Sequence, residues 1–253
     1  MSLLSIKNLT VTVAGKKIVD DVSFDIGARK IAAIVGGSGS GKTTIGLSIL
    51  RLLPSALRIS GGQIDFEGQD LLTLPEAQMR ALRGKNIGTI FQEPLNAFNP
   101  LLTIGAQIDE VLAAHTTLNP QQRREKTLDT LARVQLPDPK RVYAAYAHQL
   151  SGGMRQRAMI AQAIVCDPQL LIADEPTSSV DVTLQVKLMD LFRKLTQELN
   201  ISLLLITHDM GMVSHLADDV VVLSQGKVVE TGHTTALMAS PKHPYTKQLI
   251  EAF

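Results

Sequence analysis

Gly36-Gly37-Ser38-Gly39-Ser40-Gly41-Lys42-Thr43 fits the spacing G-x-x-x-x-G-K-[ST] in full, and that pattern captures polyphosphate. The loop must wrap its ligand with main-chain N–H groups, and side chains at the glycines would block the approach. A helix opening near Gly41 aims its first amides and the positive end of its dipole at the anion. Lys42 can reach the outer phosphates and the Thr43 hydroxyl can ligate Mg²⁺, with Thr44 counted among the nucleotide contacts. The plain alternative is a Gly/Ser-rich surface turn. An apolar strand-like run before the loop, Ile31–Val35, and an apolar helical stretch after it argue against that. The motif specifies nucleoside triphosphate binding and is silent on how the energy is used.

A second chemical pair follows a second apolar run. Leu170-Leu171-Ile172-Ala173 leads into Asp174-Glu175, and α/β sheets bind ligands at the carboxyl ends of their parallel strands. Asp174 suits a Mg²⁺ role, directly or through water. Glu175 can face the γ-phosphate and orient or deprotonate the attacking water. Two solvated loop acids are the bland reading; the apolar run and the upstream phosphate loop outweigh it.

The elements that must position these groups alternate. Leu3–Val13 and Ile18–Ile26 are rich in strand formers, with a turn around Gly15, and Gln63–Phe66 sits between glycines. The helix after the phosphate loop is expected over Thr44 to Leu53, stopped at Pro54. Residues from about Leu71 to Ile160 look mainly helical, and Gln121–Lys126 reads as a solvated helix face. Strand Leu170–Ala173, helix Val182–Leu199, strand Ile201–Ile206 and a hairpin turning at Gln225-Gly226 follow. Strands alternating with helices imply a parallel sheet covered on both faces, the helical middle being an insertion.

Composition narrows the class. The 253 residues carry 25 basic and 24 acidic side chains, a formal charge of +1, so no global field favours nucleic acid or anionic lipid. One cysteine, Cys166, excludes an intrachain disulfide framework and a cysteine-ligated zinc site. Apolar runs such as Ile201–Ile206 fall far short of the ~18 residues that span a bilayer. The N-terminal residues lack a secretory layout. A cytosolic chain is expected, with any membrane role reached through partners.

Together these features resemble the ATPase subunit of an ABC transporter. Leu150-Ser151-Gly152-Gly153-Met154 resembles the signature motif, Gln92 the Q-loop glutamine, Ser178-Ser179-Val180-Asp181 the D-loop and His208 the switch histidine. The resemblance implies a P-loop NTPase (RecA-like) α/β core with an N-terminal antiparallel β subdomain and an inserted α-helical subdomain. Its expected division is about 1–92 and 161–232 for the nucleotide-binding core, 93–160 for the helical subdomain and 233–253 for a tail. It makes Glu175 and His208 catalytic, Gln92 a contact for Mg²⁺ and the attacking water, and Asp181 the D-loop acid. Ser151 and its glycines open a helix whose amides form another anion site, closing in this family on ATP held by the opposite subunit. ATP and Mg²⁺ are the expected cofactors.

Further segments resemble the oligopeptide, dipeptide and nickel importer branch. They are Phe91-Gln92-Glu93-Pro94, Tyr146-Ala147-His148-Gln149, Met154-Arg155-Gln156-Arg157 and the tail Pro241-Lys242-His243-Pro244-Tyr245-Thr246. The signature ends in Met154, a branch variant, and Val13 stands where the family often places an adenine-stacking aromatic residue. Many peptide-type members run several dozen residues past the tail, so the short form resembles nickel-type subunits somewhat more. His243 reads as a packing or capping residue rather than a metal ligand. The implied partners are a second cassette, expected to be a paralogue in a heterodimer, two transmembrane permease subunits and, indirectly, an extracytoplasmic solute-binding protein, with no nucleic acid. The implied place is the cytoplasmic face of the cell membrane, peripheral, driving uptake of nickel or small peptides. A soluble ABC ATPase acting on DNA or ribosomes usually carries long coiled-coil insertions or two cassettes in one chain. A small-molecule kinase leaves Leu150–Met154 and His208 unexplained.

Overall fold

The first strand, β1 (Ser2–Val13), turns through Ala14 (φ 45°) and Gly15 (φ 80°) into β2 (Lys16–Gly27). Two successive left-handed residues suit the right-handed twist of paired strands. Val22, Phe24 and Ile26 are buried while Ser23 and Asp25 face out, the period-2 alternation of a strand with one covered face. Strand β3 (Ile31–Val35) is buried at every residue and feeds the phosphate loop, after which α1 (Lys42–Ile49) begins. Strand β4 (Leu57–Phe66), β5 (Gln69–Asp70) and α2 (Glu76–Leu82) follow. An antiparallel sheet takes the order β2-β1-β4-β5. The computed structural model describes residues 2–91, 97–177 and 182–251.

Helix α1 stops four residues before its expected end. Arg51 adopts φ 52°, its N–H bonds Ser48 O at 3.0 Å, and Leu52 N–H reaches back to Leu47 O at 2.9 Å. This is a Schellman ending with arginine at the left-handed position usually given to glycine. The Arg51 guanidinium donates to the carbonyls of Leu71 and Leu74, contacts that offset the strain.

The chain then enters a second unit, Ala81–Lys194; the first comprises Met1–Arg80 and Leu195–Phe253. The second unit holds β6 (Ile87–Ile90), α3 (Ile104–His115), α4 (Pro120–Arg133), α5 (Pro139–Ala144), α6 (Gly152–Ile164), β7 (Leu170–Asp174) and most of α7 (Val182–Leu199). Strand β6 pairs in parallel with β7, Ile87 opposite Leu170 through Ile90 opposite Ala173. Its helices start at side-chain caps: Thr103 for α3, Asn119 with Gln122 as a capping box for α4, Asp138 for α5. Asp109 on α3 accepts the hydroxyls of Thr127 on α4 and Tyr143 on α5. Burial, reinforced by Asp109, pushes the Tyr143 hydroxyl up to about 12. Any Cβ at Gly105 would sit 2.4 Å from the Tyr143 ring, so glycine lets α5 approach α3.

Back in the first unit come β8 (Ser202–Thr207), α8 (Met210–Leu216), β9 (Asp219–Ser224), β10 (Lys227–His233), α9 (Thr234–Ala239) and α10 (Pro244–Glu251). Strand β3 lies between β8 and β9, parallel to both, and β10 pairs antiparallel with β9. The β9–β10 turn uses Gln225 (φ 49°) and Gly226 (φ 79°). The fold is α/β, with an antiparallel β subdomain and parallel core strands flanked by helices. Among the described residues no helix is long and apolar enough to cross a membrane.

Candidate functional site

In the parallel strand pair, Val35 stands opposite Thr207. The residues that leave β3 and β8 at their carboxyl ends are therefore Gly36 and His208, so the register brings the phosphate loop and the switch histidine to one edge. Thr207 Oγ1 accepts Asp209 N–H at 3.1 Å, and Asp209 caps α8 by accepting from Gly211 N–H at 2.8 Å and Met212 N–H at 3.1 Å. His208 sits exposed in this fixed turn.

The loop's glycines answer to different demands. Leu223 O passes 2.1 Å from where a Gly36 Cβ would stand, so no side chain fits. Gly41 needs φ 102° and lies against Ile18 O. Gly39 needs φ 74° and faces open space. The β9–β10 turn braces the loop from outside, Gly226 N–H donating to Ser40 O at 3.1 Å and Gly226 O accepting Asp20 N–H at 2.8 Å.

Lys42 is 93 % buried, its Nζ donating to Gly36 O at 2.9 Å and Gly37 O at 3.0 Å. Gly41 gives α1 no side-chain cap, and Ile45 N–H donates to Gly41 O at 3.0 Å. The helix start borders a cleft of about 170 Å³ lined by Ile18 and Gly39–Thr44. Ser40 Oγ is buried with no partner among the described residues. A larger depression, about 460 Å³, is lined by Arg51, Leu53, Ile59–Gly62 and Leu72 and contains no residue of the loop. Volume is a poor guide here, because a phosphate is held by backbone donors on an open surface. Positive φ, an uncapped helix start and a buried ammonium fit a triphosphate tail.

In the second unit, β7 delivers half-exposed Asp174 and Glu175, and Glu175 takes φ 46°. A left-handed glutamate costs about 1–2 kcal/mol, and such outliers gather at functional positions. The turn after it is pinned from below. Gln156, nearly fully buried on α6, donates its amide to Pro176 O. The signature opens that same helix: Ser151 caps α6 by accepting Met154 N–H at 3.4 Å, and Arg155 donates to Leu150 O at 2.6 Å. Gly152 faces open space, whereas a Cβ at Gly153 would meet Leu184 at 2.9 Å. Gln92 and the D-loop segment 178–181, Asp181 included, lie outside the described residues.

These two constellations, one in each unit, carry the signature features of one family. The ABC transporter family model matches residues 19–178. The chain belongs to the ABC transporter ATPase family. At the level of whole sequences this cassette is 46 % identical to the peptidoglycan transport ATP-binding protein YejF of Agrobacterium fabrum over 99 % of its own length and 47 % of that protein's. It thus spans about half of that relative. The dipeptide transport ATP-binding protein DppD of Escherichia coli K12 is 41 % identical over all of this cassette and 78 % of DppD. Among solved structures, the dimeric ATP-binding cassette MJ0796 bound to ADP and Pi superposes with a TM-score of 0.80 at 26 % identity, over 91 % of this chain and 98 % of that one. The resemblance to the oligopeptide, dipeptide and nickel importer branch agrees with these relatives in its peptide part, which is what their names give.

Three residues escaped sequence reading as site parts. Gln156 reads as one more polar helix residue; only its place on the buried face reveals it. Leu184, under Gly153, is an ordinary helix leucine by pattern. Tyr245 is visible as a branch feature, but its contact with the phosphate loop is not.

Proposed function

We propose that this cassette hydrolyses ATP on the cytoplasmic face of a cell membrane to drive solute uptake, small peptides being favoured over nickel. The names of the relatives, which speak of dipeptide and peptidoglycan transport, support peptides. The observation that carries the ATP reading is the phosphate loop itself, with its buried Lys42 and uncapped helix start.

The loop Gly36–Thr43, with Thr44, holds the triphosphate, Lys42 leaving its carbonyl contacts to meet the outer phosphates. The hydroxyl of Thr43 and the carboxylate of Asp174 are hard oxygen donors of the kind Mg²⁺ prefers, with Gln92 as a third ligand. When bound, that ion neutralises charge on the phosphate oxygens. Glu175 orients and deprotonates the attacking water, and His208 contacts the γ-phosphate. Leu150–Met154 acts on ATP held by the opposite cassette, so the γ-phosphate bridges Lys42 of one subunit and the signature serine of the other. Asp181 and the D-loop accompany that contact. Hydrolysis removes the bridge and the cassettes part, a charge change acting on a two-state interface.

The working assembly comprises this cassette, a paralogous second one, two permease subunits and an extracytoplasmic binding protein. The permeases dock near residues 92–100, and Phe91 and Leu101, 47 % and 82 % exposed, offer apolar side chains beside that stretch. The chain organisation that serves this is core 1–92 and 161–232, helical subdomain 93–160 and tail 233–253. Glu175→Gln, assembled with its transporter partners, should lose about 10²–10³ in turnover while still binding ATP. Turnover at the unmutated rate would refute the base assignment. Uptake assays with labelled dipeptide and with ⁶³Ni²⁺ separate the two solutes.

A further inference from the structure

The C-terminal tail reaches the phosphate loop through one hydroxyl. Gly37 N–H donates to Tyr245 Oη at 2.7 Å. The tail is itself anchored: the Glu230 carboxylate on β10 accepts Lys242 N–H at 2.9 Å and His243 N–H at 3.0 Å, and His243 Nδ1 accepts Tyr245 N–H at 3.2 Å. Burial would push the Glu230 carboxyl up, but Thr246 and the two amides outweigh it and hold it below its ordinary range. A run of contacts thus links β10, the His-Pro-Tyr turn and the second glycine of the loop.

The direction of that contact decides its meaning. No described peptide bond is cis, so Gly36 C=O and Gly37 N–H, which belong to one planar unit, point to opposite sides. The carbonyl faces Lys42, at 2.9 Å, and the amide therefore faces away from the lysine, toward Tyr245. Lysine and tyrosine grip the two ends of a single peptide plane between glycines, residues that otherwise rotate freely. The hydroxyl supports the loop from behind and leaves the lysine's side open to phosphate.

We propose that Tyr245 is a positioning residue for ATP binding: it fixes the Gly36–Gly37 peptide so that the loop is set before nucleotide arrives. This rests on the reading of Gly36–Thr43 as the triphosphate site. A ligand that must first order its loop binds more weakly by the cost of ordering. Losing the hydroxyl should show in affinity and not in the chemical step.

The test is Tyr245→Phe in the full chain, with four measurements: calorimetric Kd for Mg–ATP, the KM and kcat of the assembled transporter, hydrogen exchange at the Gly37 amide without nucleotide, and the nucleotide-free melting midpoint. The expected result is a Kd and KM raised about three- to tenfold, the range one hydrogen bond spans, a kcat within about twofold of the parent, and faster Gly37 exchange. An unchanged Kd, tighter ATP binding, or a lower kcat at unchanged KM would overturn the proposal. So would a fall of more than about 5 °C in the nucleotide-free melting midpoint with Gly37 exchange unaltered, which marks a purely structural tail. If Lys42→Ala binds ATP like the parent, the phosphate-loop reading itself fails; if only Tyr245→Phe is indifferent, the tail's role alone does.

Discussion

Two helices in this cassette begin at glycine-rich turns, and they begin differently. Helix α1 starts after Gly41 with no side-chain cap, beside a buried lysine, in a loop braced by β9, the β9–β10 turn and the tail. Helix α6 starts after Ser151, whose hydroxyl already takes one amide through a long bond of 3.4 Å, and its first glycine stands in the open. Both ends are positive and rich in donors. The first has its cation and its helix start in one loop, which suits the proposed triphosphate site. The second offers amides and a loosely engaged hydroxyl but no lysine, in keeping with the proposal that it completes a site on the opposite cassette. The glycines differ too: at α1 Gly36 and Gly41 yield to neighbouring backbone, while at α6 one yields to a flexible leucine and one to nothing.

That contrast can be broken by substitution, and the sharpest break is at the loop. Gly36→Ala drives a methyl against Leu223 O, and with no flexible atom to move the chain should lose several kcal/mol of stability and its ATP affinity, measured by denaturant unfolding and calorimetry. Lys42→Ala should weaken ATP binding by about 10²-fold, in line with 1.5–3 kcal/mol for a charge-assisted hydrogen bond, while Ser151→Ala in the isolated chain should leave Kd within about twofold. An equal loss from both would erase the distinction. Among the signature glycines the order should be Gly153→Ala, about 1 kcal/mol because the Leu184 side chain can shift, and then Gly152→Ala, below about 0.5 kcal/mol. The helical unit supplies the smallest effect, at alkaline pH. The folded Tyr143 hydroxyl titrates near 12 against an ordinary 10.0. Its contribution is whole below 10.0 and fades as pH rises through the folded value. Tyr143→Phe should flatten the fall in melting midpoint over that window.

Much of this architecture is legible in the sequence, because the informative residues are local. The Ala14-Gly15 and Gln225-Gly226 turns, helix Val182–Leu199 and the solvated face of α4 follow from pattern and turn chemistry alone. Strand β6 does not. Ile87–Ile90 is four residues long and interrupted by Gly88, too short for a period to declare itself, and its glycine is explained by Ala163 O lying 2.3 Å from any Cβ there. The end of α1 was hidden for another reason: Leu52 and Leu53 extend the apolar pattern, and no glycine marks the stop, because arginine takes the left-handed position and ties it with its own side chain. In the site, the loop and the acid pair could be read because their chemistry demands particular residues at fixed intervals. Gln156 and Tyr245 could not, since each acts through a backbone atom distant in sequence, and any residue presents such an atom.

The Gln156 amide joins the first turns of α6 to the segment just past Glu175. A displacement of the α6 start is therefore expected to reach the turn that carries Glu175 directly, through one side chain.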